Sequence, residues 1–152
     1  MESETINYDE LYVETKGLLD RTVPLYTNLG NFAALVKLKS NWFWVGFYEV
    51  VGQHLILNAF QGPPACVKIA YGKGVCGKSW ELKTSIIVDN VNEFEGHIAC
   101  NEASKSEMVF PIFDSENNVK FILDIDHNTF SAFSERDKIG IKKLLSLIET
   151  LL

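Results

Sequence analysis

Residues 107–126 read EMVFPIFDSENNVKFILDID, in which two apolar runs flank a polar segment. The runs on either side of DSENN predict the two strands of an antiparallel hairpin, because Asp, Ser and Asn favour turns. Side chains alternate along a strand, so Asp124 and Asp126 share one face. Glu107 begins the partner strand and should lie beside them. The sequence therefore predicts three carboxylates at one rim of a sheet.

Three neighbouring carboxylates repel one another when all are ionised. Either one carboxyl stays protonated near neutral pH or a cation, such as a substrate ammonium group, binds between them. The aromatic residues available to wall the same space are Trp42, Trp44, Tyr48 and Phe60. Aromatic residues in strands often pack in the hydrophobic core instead. Of these rings, we expect Trp44 and Tyr48 to contact a substrate.

The rest of the chain supplies helical and strand patterns on both sides of the hairpin. Helices are expected over residues 7–20, from Pro24 to Leu38, over 75–82 and after the capping pair Ser134 and Asp137. Further strands are expected over residues 42–50, 54–60, 67–70 and 85–88. This order predicts an α+β fold in which a central antiparallel sheet packs with N- and C-terminal helices. The long polar span 89–106 is typical of a loop that covers a site.

Length and composition predict one globular domain over residues 1–152. A chain of this length buries roughly 68 to 70% of its unfolded surface, which is enough for a core. Its hydrophobic content of 47% and charged content of 22% are ordinary for a folded domain. Twenty acidic residues against fourteen basic ones give a net charge of −6, which argues against a nucleic-acid partner.

The sequence also argues against export and membrane insertion. Residues 1–10 are polar and acidic, unlike the basic start and apolar middle of a secretory signal. No apolar stretch approaches the roughly 20 residues that span a bilayer. We therefore expect a cytoplasmic location with no membrane partner, where stable disulfides are rare.

The three cysteines, Cys66, Cys76 and Cys100, follow glycine-rich or polar sequence that predicts turns. A thiol near a turn can be approached by a substrate, whereas a core cysteine is usually inert. An odd count of cysteines also argues against a purely structural set of disulfides. The pattern favours thiol redox chemistry on a small substrate.

A zinc site is the first alternative, because Cys66, Cys76, His97 and Cys100 are ligands of the right type. Structural zinc sites normally contain a short pair of cysteines two to four residues apart, and this chain has none. We therefore predict no metal.

A cysteine nucleophile for acyl transfer is the second alternative. The histidines that could act as its base are His54, His97 and His127. No local sequence signature supports this chemistry, so it stays the weaker hypothesis.

Five segments, taken in order, carry a family resemblance. They are WVGFY (44–48), QGPPAC (61–66), GKGVCG (72–77), GHIAC (96–100) and LDID (123–126). Together they resemble the free methionine-(R)-sulfoxide reductases over about residues 41–133. The spacing of the three cysteines makes this resemblance more specific than any single glycine motif.

The resemblance implies a GAF-type domain and assigns roles to the matching residues. The residue matching the nucleophile is Cys100, its resolving partner is Cys66, and Cys76 is a secondary resolving thiol. The acids that match the substrate site are Glu107, Asp124 and Asp126. Glu107, held neutral by its neighbours, is expected to protonate the substrate, so we group it with the three cysteines as catalytic.

The implied activity is that of a cytoplasmic oxidoreductase with no cofactor. It would reduce free methionine-(R)-sulfoxide through a cysteine sulfenic acid and an intramolecular disulfide, with thioredoxin as reductant, in defence against oxidative stress. A homodimer is one possible assembly. The alternative is a GAF-type module that senses small molecules or redox state without turnover, since fold alone does not fix activity.

Overall fold

The structure, a computed structural model, describes residues 5–152 of the chain. Residues 1–4 of the acidic N-terminal stretch lie outside the described part. The helices are α1 (Tyr8–Leu18), α2 (Leu25–Ser40), α3 (Gly74–Leu82) and α4 (Glu135–Glu149), with a 3-10 turn at Val91–Glu93. The strands are β1 (Trp44–Val51), β2 (His54–Gln61), β3 (Lys68–Ala70), β4 (Ile86–Val88), β5 (Ser106–Phe113) and β6 (Val119–His127). The predicted order of helices and strands is confirmed.

The strands form one six-stranded sheet in the order β3-β2-β1-β6-β5-β4, and every neighbouring pair is antiparallel. The predicted hairpin of β5 and β6 lies inside this sheet, since β6 also pairs with β1. Its register places Glu107 opposite Asp126, as the sequence predicted. The expected α+β fold with a central antiparallel sheet is therefore confirmed.

Alternation along the central strands gives the sheet two different faces. On one face, side chains of the sheet that include Val45, Phe47, Phe110 and Leu123 pack under helices α1, α2 and α4. The helices contribute Phe32 and Ile148 to this cluster. On the other face, a smaller cluster under α3 includes Trp44, Tyr48, Val75, Val109 and Ile122. Full burial of one such side chain stabilises the fold by roughly 1.5 to 3 kcal/mol. The face covered by α1, α2 and α4 forms the main core. The face under α3 has a smaller apolar cluster and is the face on which a site can form.

Side-chain caps fix where the terminal helices begin. Asn7 accepts a hydrogen bond from the backbone N–H of Glu10 at the start of α1. Ser134 and Asp137 form the predicted capping box at the start of α4. Helix α1 ends at Leu18, before the predicted residue 20, because Leu19 is already extended. Within residues 5–152, no helix is long and apolar enough to cross a membrane.

Helices α1 and α4 meet at a contact that requires a glycine. The Tyr8 hydroxyl donates a hydrogen bond of 2.6 Å to Asp137 Oδ1. The Tyr8 ring then lies directly over Gly140, where an added Cβ would come within 2.3 Å of the ring. The absence of a side chain at position 140 therefore allows the two helices to approach.

The substitution Gly140→Ala should lower the free energy of unfolding by about 1 to 3 kcal/mol, because the new methyl group overpacks this contact. The matched control is Gly17→Ala in the exposed part of α1, where nothing lies within 4 Å of an added Cβ. That change should raise stability by up to about 1 kcal/mol, since alanine favours a helix over glycine. Urea denaturation measures both; a Gly140→Ala protein as stable as wild type contradicts the packing argument.

Candidate active site

A small cavity lies between the α3 face of the sheet and the loop that joins β4 to β5. Its volume is about 40 Å³, and the chemistry-bearing residues that line it include Cys76, His97, Cys100, Glu107, Asp124 and Asp126. The long polar span therefore covers the site, as predicted. A cavity of this size has room for a few water molecules, far below the roughly 300 Å³ of a small ligand pocket.

The three predicted acids meet in the wall of this cavity. Glu107, Asp124 and Asp126 are only 6%, 7% and 8% exposed. Burial, and then the charge of Asp126, raises the pKa of Glu107 from 4.5 to about 8. Burial also holds the pKa values of Asp124 and Asp126 well above their usual range. At neutral pH the Glu107 carboxyl is therefore protonated and able to donate a hydrogen.

One oxygen of this cluster is left without a partner. Asp124 Oδ1 is buried and makes no hydrogen bond within the described residues. A buried acceptor without a donor destabilises the protein by about 1 to 3 kcal/mol. An unused acceptor beside a cavity marks a place where a donor from a ligand could bind.

Two of the three cysteines form a disulfide with each other. A disulfide of 2.01 Å joins Cys66 and Cys100, whose Cα atoms are 5.2 Å apart. Both residues lie in loops, Cys66 between β2 and β3 and Cys100 between β4 and β5. The turn environment predicted for these two cysteines is confirmed.

Cys76 lies in helix α3, in agreement with the helix predicted over residues 75–82. The expectation that its sulfur can be approached was wrong, because Cys76 is only 4% exposed. Its sulfur belongs to a group with one oxygen each of Glu107 and Asp124 in which all the atoms lie within 4.8 Å of one another. Burial, together with these acids, raises the pKa of the Cys76 thiol well above its ordinary value. In this state Cys76 is a protonated, buried thiol.

Two aromatic residues of β1 fix the segment that carries Cys66. The Tyr48 hydroxyl donates a hydrogen bond of 2.8 Å to the Cys66 carbonyl oxygen. The Trp44 indole N–H donates one of 3.0 Å to the Pro63 carbonyl oxygen. Both rings also line the cavity. The indole lies across Gly46, where an added Cβ would come within 2.4 Å of the ring.

The other two aromatic candidates do not line the cavity. Trp42 packs in the main core, where its ring lies 5.2 Å from that of Phe133. Phe60 stacks on the outer side of the wall, with its ring 5.3 Å from that of Trp44. Including Trp42 among the rings around the site was therefore wrong, and Phe60 supports the site through Trp44.

The residues weighed as zinc ligands do not form a four-ligand site in this state. Cys66 and Cys100 are bonded to each other, and Cys76 lies with the acids. His97 instead has its Nε2 atom 3.7 Å from Glu107 Oε1. From the sequence, His97 was a candidate only as a zinc ligand or an acyl-transfer base. The residue spacing contained no signal for its contact with Glu107.

The loop that carries His97 and Cys100 is seated on helix α3. Ile98 packs against Gly74, where an added Cβ would lie 3.2 Å from the Ile98 side chain. Gly74 also has a φ of +62°, a conformation that favours glycine. Gly74 therefore starts helix α3 and also leaves room for the Ile98 side chain of the loop.

Comparison with known proteins identifies this fold. No family model matches the chain. A solved structure described as that of the GAF domain superposes with a TM-score of 0.89 at 35% identity, covering 99% of this chain and 92% of that one. The free methionine-R-sulfoxide reductase of Neisseria meningitidis, solved in complex with its substrate, superposes with a TM-score of 0.91 at 33% identity, covering 99% and 93%. The protein thus has the GAF fold.

A curated relative narrows this class to a family. The free methionine-R-sulfoxide reductase of Escherichia coli is 34% identical over 151 residues, which cover 99% of this chain and 91% of that protein. The chain belongs to the free methionine-R-sulfoxide reductase family.

The buried acids should make the protein less stable as pH rises. Glu107 holds its proton up to a pH of about 8 in the folded state but loses it near 4.5 when unfolded. Between these values the folded state binds more protons, so the free energy of unfolding falls with increasing pH, by an amount on the order of several kcal/mol. The substitution Glu107→Gln should flatten this slope, as measured by urea denaturation at pH 5, 6.5 and 8.5.

The matched control for this test is Glu102→Gln, which changes an exposed residue of the same loop. This variant should keep the wild-type slope. If Glu107→Gln and Glu102→Gln show the same pH dependence, the raised pKa of Glu107 is contradicted.

Proposed function

We propose that this protein reduces free methionine-(R)-sulfoxide to methionine, with Cys100 as the nucleophile. The observation that carries the proposal is the position of the Cys100 sulfur, bonded to Cys66 at a cavity lined by three buried acids. The proposal is supported by membership of a family whose Neisseria meningitidis member is described in complex with its substrate. The predicted single domain over residues 1–152 contains every side chain that we assign to reduction of the substrate.

The first step needs an acid and a thiolate. Protonated Glu107 donates its proton to the sulfoxide oxygen, which makes the substrate sulfur a better target. The Cys100 thiolate attacks that sulfur, the S–O bond breaks, and the hydroxyl group passes to Cys100. Methionine leaves with its sulfur reduced by two electrons. Cys100 becomes a sulfenic acid, and Glu107 is left as a carboxylate.

The second step forms the disulfide that the oxidised protein contains. The Cys66 thiol attacks the sulfenic sulfur of Cys100 and expels water. An external dithiol, which we propose to be thioredoxin in the cytoplasm, then reduces the disulfide. Cys76 is a secondary resolving thiol in this scheme, because its burial and raised pKa disfavour the thiolate that exchange requires.

Substrate selection follows from the acids of the cavity, because an ammonium group beside a carboxyl favours the ionised form of that carboxyl. Asp124 and Asp126 would bind the substrate ammonium, and the unpartnered Asp124 Oδ1 is available to accept one of its hydrogens. Trp44 and Tyr48 would wall the rest of the pocket. A methionine sulfoxide inside a peptide has no ammonium at this position, so the acids would select the free amino acid.

The cysteine roles can be tested in a single turnover. Reduced protein freed of reductant is mixed with free methionine-(R)-sulfoxide, and released methionine is counted. Wild type should release one methionine per chain and form the Cys66 to Cys100 disulfide. Cys100→Ser should release none. Cys66→Ser should release one and leave a sulfenic acid that dimedone traps.

The matched control is Cys76→Ser, which should release one methionine and form the disulfide as wild type does. Methionine release by Cys100→Ser at the wild-type rate would refute the nucleophile. Binding of the substrate by wild type with no methionine released would instead favour the sensor.

The role of the aspartates can be tested by substrate preference. Asp124→Asn and Asp126→Asn should each raise KM for the free amino acid about 10- to 100-fold, since a charge-assisted hydrogen bond contributes roughly 1.5 to 3 kcal/mol. Their KM for N-acetylated methionine sulfoxide, which has no ammonium, should change little. The control Asp89→Asn changes an exposed acid outside the cavity. Equal effects on the two substrates would remove the aspartates from ammonium binding.

A further inference from the structure

We propose that His97 is a proton relay that returns a proton from solvent to the Glu107 carboxylate in every turnover. This inference rests on the proposed function, because it concerns the proton that Glu107 gives to the sulfoxide oxygen. His97 acts through Glu107 and need not touch the substrate.

The contact between the two side chains places His97 between Glu107 and water. His97 Nε2 is 3.7 Å from Glu107 Oε1, and the side chains are 15% and 7% exposed, respectively. Such contacts commonly tighten when a substrate binds. The imidazole thus bridges a nearly buried carboxyl and the solvent edge of the loop.

The basic group paired with Glu107 is His97. Lys73 also lines the cavity, but among the described residues it forms no ion pair with Glu107. The other titratable neighbours of Glu107 are Asp124 and Asp126 on β6, Cys76 on α3 and Tyr48 on β1. All four are acids, and burial holds each of them in its protonated form more strongly than in water. A carboxylate left at Glu107 therefore has one neighbour that exchanges protons readily near neutral pH, which is His97.

The backbone of the loop holds the imidazole and the nucleophile together. The His97 N–H donates to the Phe94 carbonyl oxygen at 3.1 Å, and the Cys100 N–H donates to the Ile98 carbonyl oxygen at 3.1 Å. Ile98, between them in sequence, packs on Gly74. The loop conformation that presents Cys100 to the cavity therefore also presents His97 to Glu107.

The protons of the reaction balance through this pair. Ionisation of Cys100 releases one proton to solvent, and Glu107 loses one to the sulfoxide oxygen. His97 takes up a proton from water to become imidazolium and passes its Nε2 proton to the Glu107 carboxylate. The pair then returns to a neutral imidazole facing a neutral carboxyl. This resting state agrees with burial, which lowers the pKa of His97 and raises that of Glu107.

The test compares His97→Gln with His97→Ala. Glutamine can offer a hydrogen bond to Glu107 but cannot carry a proton, so a relay predicts that both variants are slow. With dithiothreitol raised until the rate no longer depends on it, kcat should fall at least 10-fold in both, and KM should fall in proportion, because kcat/KM depends only on the steps up to methionine release. The loss should grow from pH 6 to pH 8, because direct protonation by solvent becomes slower. Added imidazole should restore kcat.

The first turnover provides a second measurement. In reduced protein at pH 6.5, Glu107 is already protonated, so methionine release in a single turnover should stay near the wild-type rate in both variants. The control His54→Gln, outside the cavity, should match wild type throughout. Wild-type kcat in His97→Gln, or a loss that imidazole does not restore, would overturn the relay. Failure of wild type itself to release methionine would refute the proposed function instead.

Discussion

Three carboxyl groups buried against one another are the constraint on which this site depends. Ionised carboxylates without a counter-cation are unfavourable in such a setting, and the protein responds by raising their pKa values. The cluster exists only because β5 and β6 pair with Glu107 opposite Asp126. A slip of one residue would turn Asp124 and Asp126 into the main core. The register of one hairpin therefore sets both the acidity and the position of the site.

The main core makes that register costly to change. Phe121, Leu123 and Ile125 point from β6 into the helix-covered face, where each is buried. These side chains alternate with the acids, so the apolar face of the strand fixes which way the acids point. The stability of the α1, α2 and α4 layer thus stabilises a polar cavity on the opposite face. A site with an unpaired buried oxygen is tolerated because the other face of the same strands is fully packed.

Sequence reasoning was most accurate where one local rule decided the outcome. The alternation in residues 119–126 gave the strand, its two faces and the meeting of the three acids. Trp42 was placed wrongly, because the strand predicted from residue 42 begins only at Trp44 and the Phe43 N–H donates to His127 Nδ1 instead of continuing the strand pairing. An aromatic residue before the start of the strand need not share the direction of those within it.

The burial of Cys76 was missed for a different reason. The glycines around it suggested an accessible thiol near a turn, but Gly77 brings helix α3 close to the backbone of β3, where an added Cβ would lie 2.8 Å from the Ala70 carbonyl oxygen. A glycine that permits close packing looks the same in sequence as one that permits a turn. The contact of His97 with Glu107 was not predictable either, because it depends on the path of a loop of irregular structure.

Tyr48 links the wall of the cavity to the loop that carries Cys66. A buried tyrosine hydroxyl needs a hydrogen-bond acceptor, and that of Tyr48 donates to the Cys66 carbonyl oxygen. The ring that lines the cavity therefore also positions the segment that carries Cys66, so the shape of the pocket and the position of the Cys66 sulfur cannot vary independently.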